Sequence, residues 1–301
     1  MALITTGNIP NALKAGLAAM AGAYPAYPAQ YTEVFDIYTS DKNQEVEIEM
    51  KFTGLAQIKP EGSPIAVDSM GQRILTTYVH RNVGISFQIT QEAIQDNLYK
   101  TRFPMQSKSL LDSMQQAKET LGMSVLNNGF NAAFPLGDGQ PFFSTAHPID
   151  GGTFANTPSV QTDLNEASLE SAVIAIQQFR NQAGLIVMTK PRKLVVSVQN
   201  QFVAQRLLGS NFRTDTANND ESAIYSMTVI PQGARVNQFL TIPGFWGILT
   251  DAPDGMKHYE RTPMMTDVYT DFSTKNLLAS ANQRYSFGVT NVRAMYASSG
   301  M

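Results

Sequence analysis

The 301-residue chain contains no cysteine, which removes disulfides, thiolate zinc sites, iron–sulfur clusters and cysteine nucleophiles together. Stability must therefore come from burial. No run of 18 apolar residues occurs, so no hydrophobic membrane span is written into the sequence. An excess of basic residues is also missing, because 22 Lys and Arg stand against 25 Asp and Glu for a net charge of -3. That balance argues against a dedicated nucleic-acid binder, though a protein that merely surrounds nucleic acid is allowed. The phosphate-cradling patterns GxxxxGK[ST] and GxGxxG and the hydrolase pattern GxSxG are absent as well.

What is present suits a folded chain, with 43% hydrophobic and 16% charged residues. The longest helical signal runs from Gln106 to Asn127, where Leu110, Met114, Ala117, Leu121 and Val125 recur at steps of three and four. Pro104 just ahead and Ser107 as a cap predict its start, and Lys108, Asp112, Gln115, Gln116 and Glu119 predict a solvated opposite face. Such a helix of about 20 residues spans ~30 Å. Gly122 interrupts it at a cost of roughly 1 kcal/mol relative to Ala.

Ahead of that helix, residues 1–44 read as an arm. It carries the small-residue stretch Lys14–Ala23, a Tyr24-Pro25-Ala26-Tyr27-Pro28 segment that favours extended backbone, and a strand candidate at Val34–Tyr38. From Glu45 to Phe52 alternation is strict. Glu45, Glu47, Glu49 and Lys51 share one side, and Val46, Ile48, Met50 and Phe52 the other. A Pro/Gly tip at Lys59–Pro64 and a return through Val79, Val83, Ile85, Phe87 and Ile89 predict a long hairpin arm over 45–89. Two strands alone are marginal in water, so its apolar row needs a covering surface. We expect that surface on another subunit, with Arg73, Arg81 or a neighbour's arginines answering the acidic row. A short helix, Thr90–Tyr99, is expected before the long one.

Composition shifts at Asn127–Pro158, an elaborated loop rich in Gly, Asn, Pro and Thr. A second helix is expected over Asn165–Gln182, then a strand at Lys193–Val198 and a helix over Asn200–Leu208 that stops at Gly209. Strands are expected at Tyr225–Ile230, Asn237–Ile242, Phe245–Leu249, Met256–Glu260, Met265–Tyr269, Arg284–Val289 and Arg293–Ala297. Helices and strands interleaved this irregularly predict an α+β fold.

Chemistry is thin. His80, His147 and His258 are far apart and lack a second ligand type at metal-binding spacing. His147, with Asp138 and Asp150 near it, is the one candidate base for a hydrolase, but no nucleophile accompanies it; a His-Pro turn in such a loop reads as an anchor. Asp215, Asn219, Asp220 and Glu221 gather oxygens without the calcium-loop pattern. No catalytic residue, cofactor or metal is expected.

Several stretches resemble the major head subunits of Mu-like tailed phages, which share the Hong Kong 97-type capsid fold. Val83-Gly84-Ile85-Ser86 with Asp96-Asn97-Leu98-Tyr99 resembles that family's entry into its spine helix. Asp138-Gly139-Gln140, Phe142-Phe143 and His147-Pro148 resemble its DGQ-x-FF-x-x-x-HP loop, and Arg213-Thr214-Asp215 a later polar loop. The resemblance implies an N-terminal arm (1–44), an extended β-hairpin arm (45–89), a peripheral domain with the spine helix (90–160), an axial domain (161–255) and return strands (256–301). It further implies pentamers and hexamers of the chain itself in an icosahedral shell around double-stranded DNA, with scaffold, portal and decoration partners, in a virion assembled in the bacterial cytoplasm. A nanocompartment shell around protein cargo has the same fold and stands as the alternative. Candidate inter-subunit contacts are Val46, Ile48, Met50, Phe52, Glu45, Glu47, Glu49, Arg73 and Arg81.

Overall fold

A long helix, α1 (Tyr99–Asn127), lies across a four-stranded sheet and joins it to a second layer built around another four-stranded sheet. The computed structural model describes residues 28–51, 53–68, 71–92, 99–213 and 220–301. The small-residue arm segment, Phe52, most of the expected Thr90–Tyr99 helix and the Asp215–Asn219 stretch lie outside them.

The first sheet has the order β1-β10-β11-β4, from β1 (Asp36–Thr39), β4 (Arg81–Ile89), β10 (Met256–Thr270) and β11 (Leu277–Val289). The second has the order β12-β9-β7-β8, from β7 (Pro191–Val196), β8 (Ala234–Val236), β9 (Trp246–Thr250) and β12 (Met295–Ser298). A separate ribbon pairs β2 (Gln44–Lys51) with β3 (Gly71–Val79), and a small hairpin pairs β5 (His147–Ile149) with β6 (Gly152–Phe154). Helices α2 (Glu166–Gln177), α3 (Gln201–Gly209) and the single turn α4 (Ala223–Ser226) complete the described elements.

The helix α1 starts earlier than its pattern predicts and runs through Pro104. A proline there forfeits one backbone bond, which the packing of the later turns makes tolerable. Leu110 and Met114 are buried as expected, but further along Met123 and Leu126 carry the core, and Leu121 and Val125 flank it. Glu119, expected in solvent, is 2% exposed, because its two carboxylate oxygens accept the backbone N–H groups of Gln30 (2.7 Å) and Tyr31 (2.9 Å). Gly122 answers a close approach, since a Cβ there would lie 3.1 Å from the Phe287 ring.

The predicted hairpin divides in two. β2 returns through β3, and β4 leaves the ribbon to pair with β11. The break falls at His80, which is 4% exposed and held by Ser40 Oγ at 3.1 Å and Ser286 Oγ at 3.0 Å. The separate strand candidates at Met256–Glu260 and Met265–Tyr269 are one strand, β10, interrupted by register shifts between Glu260 and Met265 around Pro263. A proline cannot donate to a ladder, so alternation breaks there while pairing resumes beyond. Tyr225–Ile230, predicted as strand, begins as α4 with Ser222 as its cap, and Asn237–Ile242 is loop. Helix α2 is capped by Asn165, reinforced by a reciprocal bond with Ser168, and ends at Gln177, short of the expected Gln182.

The main core joins Met123 and Leu126 of α1, Phe142, Phe143 and Phe154 of the loop region, Leu169 and Ile176 of α2, and the β7–β9–β12 sheet around Trp246. The first half of α1 instead meets β11 and β4 through Leu110, Met114 and Ala281.

Candidate assembly surface

An alternating strand buries one face and exposes the other, and the apolar face is normally the buried one. In β2 it is the reverse. Val46, Ile48 and Met50 are 40–44% exposed, and Leu75 and Val79 of β3 and Leu55, Ile58, Ile65 and Val67 between the strands are exposed too. The acidic row faces the chain's own body.

Each carboxylate has intramolecular partners. Glu45 accepts from Ser40 Oγ at 2.7 Å and Lys42 Nζ at 3.0 Å. Glu47 accepts from Lys257 Nζ at 3.0 Å and from the Tyr259 hydroxyl. Glu49 accepts from Arg293 Nη1 at 3.0 Å and Gln182 Nε2 at 2.8 Å. Next along this face, Lys51 meets Asp150 at 2.7 Å, and Arg73 of β3 meets the other oxygen of the same carboxylate at 2.7 Å. Arg73 can do so because the ladder skips it, with Glu49 opposite Ile74 and Met50 opposite Gln72.

The expected pairing of the acidic row with Arg73 and Arg81 is thus corrected within the subunit. Arg73 serves Asp150, and Arg81 stands exposed at the start of β4, opposite Tyr285. The partners in fact used, Lys257 and Arg293, lie more than 200 residues away. Nothing local in the sequence marks them, because the burial of Lys257 and Arg293 is set by the fold. Burial pulls the Lys257 ammonium down, but its bonds to Asp254 and Glu47 prevail and hold it above the ordinary lysine value. Burial lowers Arg293, against the pull of Glu49. The bond from Lys51, reinforced by Arg73, holds Asp150 below the usual carboxylate range.

His147 is 2% exposed, with Nδ1 2.5 Å from Asp138 Oδ2 and Nε2 3.2 Å from the Phe142 carbonyl. Both ring nitrogens face acceptors, so neither is free to take a proton from a substrate. Burial raises the Asp138 carboxyl, but the bonds from His147 and the Gln140 N–H outweigh it and leave Asp138 below its ordinary value. Asn156, fully buried, ties the same loop by donating to the Phe142 and Val292 carbonyls and accepting from the Ser144 N–H. Asp150 serves the hairpin, so the hydrolase constellation of His147 with Asp150 is not assembled. The groove of about 450 Å3 between α1 and β11 has no carboxylate or histidine in its lining. Among the described residues no cluster of three His, Asp or Glu could hold a metal, and no helix is long and apolar enough to cross a membrane.

Outward apolar residues on a ribbon suit assembly. The comparisons agree. The fold is shared with the virus-like particle from Pyrococcus furiosus at 8% identity and a TM-score of 0.56, over 95% of this chain and 98% of that one. The capsid of a native GTA particle matches at 12% identity and 0.54, over 90% of each chain. A chain from the capsid of bacteriophage JBD30 decorated with minor capsid protein trimers matches at 13% and 0.58, over 80% of this chain and all of that one. At such identities the likeness shows the fold alone, the α+β capsid fold of the Hong Kong 97 type. No curated protein matches the sequence. The sequence model of the family described as phage capsid protein matches residues 74–298, well over half of the chain, and the chain belongs to that family.

Proposed function

We propose that the chain is the major capsid protein of a tailed phage, self-assembling through pentamers and hexamers into the icosahedral head that encloses double-stranded DNA. The observation that carries this reading is the outward apolar row of Val46, Ile48 and Met50 on a two-stranded ribbon, which its own subunit leaves uncovered. Covered by a neighbour, such a row contributes roughly 25 cal/mol per Å2. The hairpin arm proper is β2, the tip and β3, ending at Val79, and β4 goes with the peripheral segment; the N-terminal arm, axial and return segments are taken at the boundaries that the resemblance implies. Phe52, outside the described residues, stays a candidate contact on its sequence alternation alone; Glu45, Glu47, Glu49 and Arg73 act behind the row, and Arg81 lies where a neighbour can reach it. Scaffold, portal and decoration proteins are the further partners, and the virion the location, with assembly in the bacterial cytoplasm. The Asp138–Pro148 loop supports a place among the Mu-like heads. The role is structural, without an active site, and His147 anchors its loop.

The likeness to a virus-like particle favours a second reading, a closed shell around protein cargo. Electron microscopy of the purified protein tests both. Regular shells or ring-shaped capsomers are expected, and a featureless monomer under all assembly conditions removes the container reading. Nuclease-protected DNA inside shells formed in the native host separates the head from the cargo shell.

A further inference from the structure

We propose that the acidic row of β2 is a positioning device acting within one subunit, holding the hairpin so that its apolar row points at the neighbour. The inference rests on the reading of the hairpin as an inter-subunit arm and adds what fixes its pose.

Sequence alternation alone does not decide which face of β2 turns inward. The body does, because it presents buried cations: Lys257 and Arg293 are each only 4% exposed as residues, and water cannot solvate them in place of a carboxylate. Glu47 and Glu49, two residues apart on one face, meet them at 3.0 Å each. A one-residue slip would turn Val46, Ile48 and Met50 onto these cations, leaving Arg293 without its carboxylate and Lys257 with Asp254 alone. Glu45 on Lys42 and Lys51 on Asp150 extend the row at both ends. Asp150 also holds Arg73, so both strands of the ribbon are tied to one point on the body.

Beneath the strand, Gln182 and Arg293 line a cavity of about 310 Å3 with Glu47, Glu49 and Asn291. Gln182 Oε1 and Arg293 Nη2 have no partner there, although Gln182 Nε2 and Arg293 Nη1 both reach the same Glu49 oxygen. Glu49 is therefore the anion on which this part of the body converges. Without it, two buried polar side chains lose a shared acceptor and the strand loses its reason to sit acid-side down.

The pose is measurable because the chain has no cysteine, so Glu61→Cys at the tip and Lys190→Cys on the body give a unique pair of spin labels. In unassembled full-length subunits, combined Glu47→Gln and Glu49→Gln is expected to broaden the tip-to-body distance distribution and lower shell yield by roughly tenfold or more. Charge exchange then separates action within a subunit from action between subunits. Glu49→Arg and Arg293→Glu should each block assembly, and together in one chain they should restore it. Mixing the two single variants should restore nothing. Because Arg293 also donates to the Arg180 carbonyl and its variant can misfold, the exchange of Glu47→Lys with Lys257→Glu serves as a second test. Rescue by mixing, or an unchanged distance distribution with full shell yield in the double Gln variant, overturns the positioning role. Failure of the arm reading itself shows elsewhere, in an Ile48→Ser, Met50→Ser variant that assembles as robustly as the wild type.

Discussion

Three histidines in one chain invite a catalytic reading, and each spends its ring nitrogens, or hides them, in a different way. His147 sits between Asp138 and a carbonyl. Removing one partner of so buried a pair strands the other charge, at about 3–5 kcal/mol. His147→Ala should therefore lower the thermal midpoint by several degrees and loosen the 137–152 loop, with a matching loss of shell yield. A thermal melt checks the first part, and a midpoint within a degree of wild type refutes the pairing. His258 is fully buried, stacks on Phe287, donates through Nδ1 to the Ser286 carbonyl and leaves Nε2 unpartnered. Burial, with Lys118 nearby, pushes it from 6.5 down to about 4. The unfolded chain thus takes up the proton first, and stability present above pH 6.5 is lost as pH falls toward 4. That loss amounts to roughly 3 kcal/mol for this one group. Burial lowers His80 also, so it adds to the same slope. Denaturant titrations across this window should show a shallower slope in His258→Gln than in wild type; equal slopes would remove His258 as a source.

At the scale of elements, the hairpin tests the assembly reading. At ~3.3 Å per residue, the stretch from Glu45 to Ile58 can reach about 45 Å when extended. Its exposed Leu55, Ile58, Ile65 and Val67 touch little of their own subunit. Replacing Leu55–Asp68 with a short Gly/Ser turn should leave a soluble subunit with an unchanged thermal midpoint whose shells fail to form or break easily. Changing Ile48 and Met50 to Ser should act alike. Sedimentation and melting measured together decide the matter: an unfolded monomer would place the arm in its own core. The same element shows what sequence patterns carry. Strict alternation locates β2 within a residue or two, yet the same rule assigns the return to β4 and passes over β3. The pattern from Val79 to Ile89 is good strand, and nothing local says that His80, tied to Ser40 and Ser286, breaks the chain between two sheets. In α1 the period located the helix, and burial of Glu119 escaped it because the two N–H groups it accepts come from residues 88 and 89 positions earlier.

The whole molecule carries a net charge of -3, and a shell wall must hold its genome without gripping it. Isolated subunits should bind duplex DNA no tighter than the usual non-specific range of roughly 10⁻⁴–10⁻⁶ M at physiological salt. Nanomolar affinity with a steep salt slope in a filter-binding titration would contradict this. By itself the sequence determined the α+β class, the places of α1, α2, α3, β2 and β7, and the exclusion of thiol chemistry. These depend on residue type and on periods of two or three to four, which neighbours along the chain decide. Only the tertiary structure decided which side of β2 faces the body, that Lys257 and Arg293 answer Glu47 and Glu49, and that Asp150 serves the arm and not His147. The first two of those choices depend on desolvated charges meeting across more than 200 residues of chain, where the cost of leaving a buried cation unpaired outweighs the preference of an apolar row for its own core.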